Sequence, residues 1–254
     1  MVRRRAPTVV LLSVPGTLAT IDPVLRRASV RLVRIASVGI RPVDPATWLP
    51  RVARDLEGRT VVVTSREAVE FGVRPWLRHS GVDPKKLEFW AVGPATARAL
   101  RSAGIRRVQS PKAVGSHGLA QTLGPASPRS VIYFRSDAAG PRLARALRSK
   151  RHRVTDVVVY RMVSAPPLKL EEQRALRSAD VLVVSSPSGL SELHRRIARA
   201  KFSDLAKRTP LVVLGALSLR AARAHGFRHV SVAPSTTAQP FTRFLLRELD
   251  HARA

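Results

Sequence analysis

Small hydroxyl residues and arginines cluster directly after apolar runs in this 254-residue chain. At the carboxyl ends of parallel strands, helix N-termini expose unpaired N–H groups and a partial positive charge, so residues there can bind anions. We therefore predict that these loops bind substrate carboxylates through hydroxyls, backbone amides and two arginines. The candidates are Ser65, Arg66, Gly93, Thr96, Arg135, Ser136, Ser186, Ser188 and Ser218.

A simpler role for each loop hydroxyl is to cap the helix that follows it. The two roles are compatible, because a capping hydroxyl at the mouth of a cleft can also contact a ligand. Ser65 corresponds to Ser186, and Thr96 to Ser218, across an internal repeat. That correspondence fits duplicated caps as well as duplicated ligand loops, so both interpretations stay open.

The internal repeat has a nearly constant offset. The segment 61–69 returns 121 positions later as 182–190, and the segment 92–104 returns 122 positions later as 214–226. A steady offset of this kind indicates two copies of one architecture. We expect a ligand to lie between two similar lobes.

The elements that position these loops follow an α/β pattern. Short β-branched runs alternate with helical patterns, and most of the runs are continuously apolar, which is typical of strands in a parallel sheet covered on both faces. Gly104 and Gly226 are expected to end equivalent helices in the left-handed conformation. The predicted strands are 9–12, 30–35, 60–63, 87–92, 131–134, 154–160, 181–184, 211–214 and 229–232.

Other local signals concern the helix ends. Ser116, and Thr236 or Thr237, are expected N-caps of the last helix in each copy. Pro75 is expected to kink or interrupt the helical stripe that runs from Val69 to Leu77.

Two long extended runs, 34–43 and 156–165, end at prolines and occupy equivalent places in the two copies. If both cross between lobes, each copy contributes to both lobes. The predicted fold is therefore α/β, with two similar lobes that each hold a parallel sheet flanked by helices, joined by two extended crossing strands. Lobe one is expected to comprise 1–36 plus 165–254, lobe two 44–154, and the linkers 37–43 and 155–164.

The net charge of +28 would favour a polyanionic partner such as nucleic acid. However, arginine outnumbers lysine 38 to 7, asparagine is absent, and the arginines are spread along the whole chain. A solvated basic surface that reflects coding bias explains this pattern better than a nucleic-acid site. The charge is also compatible with an acidic small ligand.

Several classes of site are disfavoured. The chain has no G-x-G, no G-K-[ST] and no G-x-S-x-G, so nucleotide-binding fingerprints and a serine-hydrolase elbow are missing. Without cysteine, and with scattered histidines, no metal site is predicted. No apolar run is long enough to cross a membrane, and we expect a cytoplasmic protein without a membrane partner.

Five motifs in order, spread over nearly the whole chain, resemble the uroporphyrinogen-III synthase family. The chain departs from the family pattern at Glu67, where the family usually has Asn, and at Ser218, where it commonly has Thr. The motifs are Thr64-Ser65-Arg66-Glu67-Ala68-Val69, Val92-Gly93-Pro94-Ala95-Thr96-Ala97, Val159-Tyr160-Arg161, Val184-Ser185-Ser186-Pro187-Ser188 and Leu214-Gly215 through Ser218.

The resemblance implies a lyase that needs no cofactor and cyclises hydroxymethylbilane to uroporphyrinogen III, with inversion of the last pyrrole ring and loss of water. The substrate carries eight carboxylates, and the enzyme's main task is to hold it folded. Tyr160 is then the catalytic candidate that assists departure of the hydroxyl group, or else a buried tyrosine that closes its strand. Asp137 acting through water is an alternative. We expect a monomer, with hydroxymethylbilane synthase as the candidate partner that hands over the substrate.

Two other functions remain as alternatives. One is a non-catalytic sensor that binds a tetrapyrrole or another polycarboxylate in the same frame. The other, less favoured, is a nucleic-acid-binding protein that uses the basic surface; steeply salt-dependent DNA binding would support it.

Overall fold

The computed structural model describes residues 5–14, 17–18, 21–52, 59–111, 115–123, 128–202 and 204–253. Contacts between Cα atoms divide the chain into two units, Met1–Gly39 with Ser164–Ala254 (unit 1) and Ile40–Val163 (unit 2). The chain therefore leaves unit 1 once, completes unit 2 and returns.

The strands of the described residues form one sheet in each unit. They are Thr8–Ser13 (β1), Arg31–Ala36 (β2), Gly39–Pro42 (β3), Thr60–Val63 (β4), Glu88–Ala91 (β5), Val108–Gln109 (β6), Ser130–Ser136 (β7), Arg153–Val163 (β8), Val181–Val184 (β9), Leu211–Val213 (β10) and Val230–Val232 (β11).

Helices flank the sheets, and none of those described is long and apolar enough to cross a membrane. A π-helical segment, Val69–Val73, joins α3 to α4. The α-helices are Asp22–Arg27 (α1), Leu49–Val52 (α2), Arg66–Ala68 (α3), Arg74–Ser80 (α4), Pro94–Ser102 (α5), Ser116–Thr122 (α6), Arg142–Arg148 (α7), Leu170–Arg177 (α8), Pro187–Arg199 (α9), Leu205–Arg208 (α10), Ala216–Ala224 (α11) and Ala238–Arg253 (α12).

The two sheets share one topology in circularly permuted form. In unit 1 the order is β11-β10-β9-β1-β2, with parallel pairing throughout. In unit 2 the order is β3-β8-β7-β4-β5-β6, with parallel pairing from β8 to β6. If β7 and β8 are equated with β1 and β2, then β4, β5 and β6 match β9, β10 and β11. The predicted α/β architecture with parallel sheets flanked by helices is confirmed.

The buried strands explain why the apolar runs are continuous. On β4, Val61 and Val63 pack in the core cluster that contains Trp76, whereas Val62 packs in the cluster on the other face with Leu143. Successive side chains of a strand point to opposite faces, so a strand covered by helices on both sides needs apolar residues at every position.

The turn signals give a mixed result. Gly104 and Gly226 have φ of +90° and +80° and follow the ends of α5 and α11, which confirms the predicted left-handed caps. The prediction for Ser116 is wrong, because Gly115, with φ of 110°, is the N-cap and Ser116 is the first residue of α6. Pro75 lies in the first turn of α4, directly after the π-helical segment, so the helical run from Arg66 to Ser80 changes its type just before the proline.

Two short edge strands, β3 and β6, were not predicted as separate strands. β6 has only two residues, Val108 and Gln109, and its pairing with β5 rather than any local pattern makes it a strand. β3 lies at the edge of the unit 2 sheet beside β8, and Val43, just beyond it, donates its N–H to the Val159 carbonyl (3.0 Å).

Candidate active site

The carboxyl edge of the unit 2 sheet holds a hydrogen-bonded serine and tyrosine. Ser65 directly precedes α3, Tyr160 lies on β8, and their hydroxyl oxygens are 3.0 Å apart. The Ser65 hydroxyl also accepts a hydrogen bond from the Ala68 N–H (3.0 Å), so it caps α3 as well. A single hydroxyl therefore fixes the start of the helix and contacts the phenol.

A β-bulge turns Tyr160 to the side of the sheet where Ser65 can reach it. The register between β7 and β8 shifts so that Arg135 pairs with Val158 but Ser136 pairs with Tyr160, which leaves Val159 as the extra residue. Val157, Val159 and Tyr160 consequently belong to the same core cluster. In an unbroken strand Tyr160 would point to the face opposite Val159.

The π-helical segment packs against this bulge. Phe71 lies with its ring centroid 6.2 Å from that of Tyr160, and the tyrosine is only 6% exposed. At Gly72 an added Cβ would lie 3.1 Å from Val159 and from Phe134, so a larger residue would push the segment or these side chains apart by a few tenths of an ångström. The phenol is therefore confined on one side by an aromatic ring and on another by the Ser65 hydroxyl.

An ion pair inside unit 2 occupies Arg135. Its guanidinium binds Asp156 through two bonds, Nε to Oδ1 (2.6 Å) and Nη2 to Oδ2 (2.9 Å), and donates a third to the Ser136 carbonyl (2.9 Å). The hydrogen bond to Asp156 raises the pKa of Arg135 above its ordinary value, and burial opposes this shift. The structure thus commits the Arg135 side chain to Asp156 and to the turn after β7.

That turn is held in place at both ends. The Ser136 hydroxyl accepts the Ala139 N–H (3.1 Å). Asp137 Oδ1 accepts the Ala138 N–H (2.7 Å) and, from β8, the Met162 N–H (2.9 Å). The hydrogen bond from Met162 therefore fixes the turn relative to Tyr160, which lies two positions before Met162 in β8.

Two further loops of unit 2 lie at the same edge in the described residues. Arg66 pairs with the adjacent Glu67 (3.1 Å) while keeping 39% of its side chain exposed. Gly93 is the extended N-cap of α5, and its carbonyl accepts the Ala97 N–H (3.0 Å). Thr96 is buried in the first turn of α5. The first N–H groups of such a helix lack intrahelical partners and can bind an anion.

The carboxyl edge of unit 1 repeats the helix starts. Ser186 caps α9 by accepting the Gly189 N–H (3.1 Å), and its hydroxyl lies 3.2 Å from that of Ser188. At the next strand Gly215, with φ of 95°, is the N-cap of α11, and Ser218 is buried inside that helix. This edge offers hydroxyls and backbone N–H groups.

The strand order indicates where a ligand belongs in each unit. In open parallel sheets, ligands bind outside the carboxyl ends of the strands, where the order of strands reverses. The reversal falls between β4 and β7 in unit 2 and between β9 and β1 in unit 1. Ser65 and Ser136 flank it in unit 2, and Ser186 follows β9 beside it in unit 1.

Comparison with known proteins gives a decisive match. The family model described as uroporphyrinogen-III synthase HemD matches residues 19–243. The chain belongs to the uroporphyrinogen-III synthase family. The resemblance in the sequence motifs is thereby confirmed. A search of curated proteins gives no significant match.

This chain has the same fold as two solved structures of the family. A mutant uroporphyrinogen III synthase from the extremely thermophilic bacterium Thermus thermophilus is 18% identical, with a TM-score of 0.55 and coverage of 96% of this chain and 99% of that one. The uroporphyrinogen-III synthetase from Helicobacter pylori is 16% identical, with a TM-score of 0.57 and coverage of 95% and 99%. At these identities the likeness concerns the fold.

Within this family frame, the predicted site residues fall into two groups. Unit 2 holds Tyr160 with Ser65, Arg66, Gly93, Thr96, Arg135 and Ser136, and unit 1 holds Ser186, Ser188 and Ser218. All the predicted loops lie at carboxyl ends of strands. The capping role is present for three of the serines, Ser65, Ser136 and Ser186, and is compatible with ligand binding.

Sequence reasoning missed two residues that shape the site. Asp156, the partner of Arg135, is the one carboxylate of β8 and directly precedes the apolar run Val157–Val159, which is a usable signal. Phe71 carried no signal, because its contact with Tyr160 depends on the π-helical turn. Among the described residues, no group of three or more acidic or histidine side chains could hold a metal ion.

Proposed function

We propose that this protein is a uroporphyrinogen-III synthase, a lyase that closes hydroxymethylbilane to uroporphyrinogen III with inversion of the last pyrrole ring and loss of water. The observation that carries the proposal is the family match over residues 19–243. The Ser65–Tyr160 pair at the carboxyl edge of unit 2 supplies a group suited to assist departure of the hydroxyl.

Substrate binding is proposed to rest on helix starts in both units. Hydroxymethylbilane carries many carboxylates, and the N-termini of α5, α9 and α11 present backbone N–H groups next to Gly93, Ser186 and Gly215. Amide and hydroxyl donors can bind a carboxylate without one dedicated cation for each. Arg66, which keeps part of its side chain exposed, adds a charge-assisted contact.

Arg135 and Ser136 have a different part in this proposal. Because Arg135 is bound to Asp156 and to the Ser136 carbonyl, it acts by fixing the turn after β7, and the turn presents its backbone and the Ser136 hydroxyl to the substrate. Arg135 is thus a positioning residue here.

Ser65 determines how Tyr160 can act. The Ser65 oxygen already accepts the Ala68 N–H, and its own hydrogen remains to be donated. When Ser65 donates to the Tyr160 oxygen, the phenol O–H is left to point at the leaving hydroxyl. As the C–O bond of the hydroxymethyl group breaks, the pyrrole nitrogen supplies the electron pair and the phenol donates a hydrogen bond to the departing oxygen. The departing hydroxide takes the proton of the pyrrole N–H and leaves as water, so that a neutral azafulvene remains.

The remaining task is to hold the open chain so that the last ring attacks through its substituted carbon. Positioning of this kind can account for much of the rate enhancement, because the entropy that ring closure costs is then lost when the substrate binds and not in the closure step. We further propose that the protein works as a monomer that receives its substrate from hydroxymethylbilane synthase.

A product analysis tests the proposed activity. Purified protein is mixed with freshly made hydroxymethylbilane, and the cyclic products are oxidised and separated by chromatography. We expect the type III isomer. If the mixture contained only the type I isomer that forms spontaneously, the proposal would be wrong and a binding role would replace it.

A further inference from the structure

A cavity of about 500 Å³ lies at the other edge of the unit 2 sheet. Its walls come from the segments 83–87 and 104–107, which immediately precede β5 and β6. Because β5 and β6 are parallel, both segments lie at the amino edge of the sheet. Four residues of strand separate this edge from the carboxyl edge, which is about 13 Å.

The walls of the cavity combine an apolar floor with a basic rim. Leu87 and Ile105 are buried members of the unit 2 core cluster that also contains Trp76. Lys85, Arg106 and Arg107 are exposed at the rim. In the part of the chain that the structure describes, the side chains of these three cations have no hydrogen-bond or ion-pair partner. The rim thus holds positive charge that the fold itself does not use.

One carboxylate, that of Asp83, also lines the cavity. It accepts the Lys85 N–H (2.9 Å) and so caps the short 3-10 turn Pro84–Lys86. Three cations therefore outnumber one carboxylate that is already engaged.

Backbone hydrogen bonds hold both walls. In the first wall, the Leu87 N–H donates to the Pro84 carbonyl (3.3 Å). In the second, the Ile105 N–H donates to the Leu100 carbonyl (3.2 Å) after the left-handed turn at Gly104. A site whose walls are already ordered loses less conformational entropy when a ligand binds.

We propose that this cavity is a second ligand site of unit 2, which takes a small molecule with an apolar body and two or more anionic oxygens, as carboxylate or phosphate. The volume lies within the range of about 300–1,000 Å³ that is usual for small-molecule pockets. The apolar floor suits an organic body better than an inorganic ion, and the concave shape suits a small molecule better than a nucleic-acid strand. None of the residues placed at the carboxyl edge lines this cavity, so the site is independent of the proposed activity.

Calorimetric titration tests the site with two probes, benzene-1,3,5-tricarboxylate for carboxylate recognition and 1-naphthyl phosphate for phosphate recognition. We expect at least one probe to bind with one molecule per chain, and the preferred probe identifies the anion. The variant Arg106→Gln with Arg107→Gln should bind it about tenfold more weakly or worse, because two charge-assisted contacts are lost.

A matched control removes the same charge elsewhere in unit 2. Arg142→Gln with Arg145→Gln alters two exposed arginines of α7 that do not line the cavity. This variant should bind the probe within about twofold of the wild type, since distant exposed charges are screened. Circular dichroism confirms the fold of each variant, and Lys85→Gln, at the opposite wall, should weaken binding too.

Four results would overturn the proposal. The first is that neither probe shows saturable binding, and the second is that the two double variants weaken binding equally. The third is that inorganic phosphate binds as tightly as 1-naphthyl phosphate. The fourth is that a DNA duplex binds in a way that requires Arg106 and Arg107 while neither probe competes with it. The last result would assign the rim to nucleic acid instead.

Discussion

The carboxyl edges of the two units have the same helix starts but different chemical groups. Unit 2 holds the hydrogen-bonded pair of Ser65 and Tyr160, confined by a bulge and a π-helical turn. The corresponding serine of unit 1, Ser186, has Ser188 as its hydroxyl neighbour and caps a regular helix. The duplication has kept the same helix starts in both units, whereas the phenol is found at the edge of unit 2.

The permuted topology explains how such a difference can arise. The repeat aligns β4 with β9 and β5 with β10, so the two loops that follow these strands are preserved. β8 corresponds to β2 and carries the bulge at Val159 and the longer course to Val163. The chemical difference between the two units therefore lies on β8, which ends at Val163, where the chain returns to unit 1.

The largest expected effect concerns the buried ion pair of Arg196 and Glu192, which lies beside the segments where the chain leaves unit 1 and returns to it. In unit 1, Arg196 binds Glu192 (2.6 Å) and donates to the carbonyls of Ala36 (3.0 Å) and Pro166 (3.1 Å), where the chain leaves and returns. Arg196→Leu should lower the free energy of unfolding by about 2–3 kcal/mol, because Glu192 keeps only its exposed partner Arg195 (2.7 Å) and the carbonyls of Ala36 and Pro166 lose their donor. Urea denaturation measures the change.

Replacement of both partners is the control for this prediction. Arg196→Leu with Glu192→Met should recover the part of the lost stability that comes from the buried Glu192 charge, whereas the carbonyls of Ala36 and Pro166 stay without their donor. Arg135→Leu, which breaks the partly buried pair with Asp156, should cost less stability but should also slow type III formation, through the turn at Ser136. Equal activity losses from the two single variants would contradict the assignment of the chemistry to unit 2.

The next largest effect is expected at the two tyrosines of the chain. Tyr160→Phe should lower kcat by about 10- to 100-fold with little change in KM, because it removes a donor that acts on the leaving oxygen. Tyr133→Phe is the control, since Tyr133 is equally buried but packs in the cluster on the other face of the sheet. Full activity in Tyr160→Phe would make Tyr160 a structural residue.

The paired serines give a smaller and more specific test. Ser65→Ala and Ser186→Ala each remove a helix cap worth about 1 kcal/mol, so both should lose similar stability. Ser65→Ala should in addition lower kcat by about tenfold, through the orientation of Tyr160. Ser186→Ala should instead raise KM, because it removes a contact that we propose is used in substrate binding. Steady-state kinetics with thermal unfolding distinguishes the two, and a reversed pattern would overturn the comparison.

The smallest expected effect is a pH dependence of stability in unit 1. The rings of His194 and His225 stack with centroids 4.7 Å apart, and burial, followed by the charge of His194, lowers the pKa of His225 below its ordinary value. A lowered folded-state pKa means that this contribution to stability is intact above pH of about 6.5 and is lost as the pH falls.

The variant His194→Gln tests this dependence. It should show a shallower loss of unfolding free energy between pH of about 7.5 and about 5.5 than the wild type, because one positive charge of the stack is removed. Urea denaturation at the two pH values measures the loss, and identical slopes would show that the stack does not couple the two rings.

Much of the fold and of the loop set could be predicted from the sequence, because both depend on local patterns. Continuous apolar runs such as 181–184 identify strands buried on both faces, and hydroxyls after them mark helix starts. The contact of Ser65 with Tyr160 could not be predicted in this way. It requires the bulge at Val159 and the close approach at Gly72, which arise only when β8 pairs with β7 and the π-helical segment packs on both.

The partner of Arg135 shows the same limit. Its position after an apolar run made it a candidate for binding a substrate carboxylate, but a carboxylate within the fold, Asp156, lies on the neighbouring strand and binds it. Which arginines keep their charge available depends on such pairings across the sheet.

The most direct test of the account is the isomer ratio formed in a single turnover with enzyme in excess over hydroxymethylbilane. The wild type is predicted to give the type III isomer, and a variant altered at both edges, Tyr160→Phe with Ser186→Ala, is predicted to give an increased share of type I. Type I alone from the wild type would contradict the proposed activity. An unchanged ratio and rate in the double variant would contradict the proposed site.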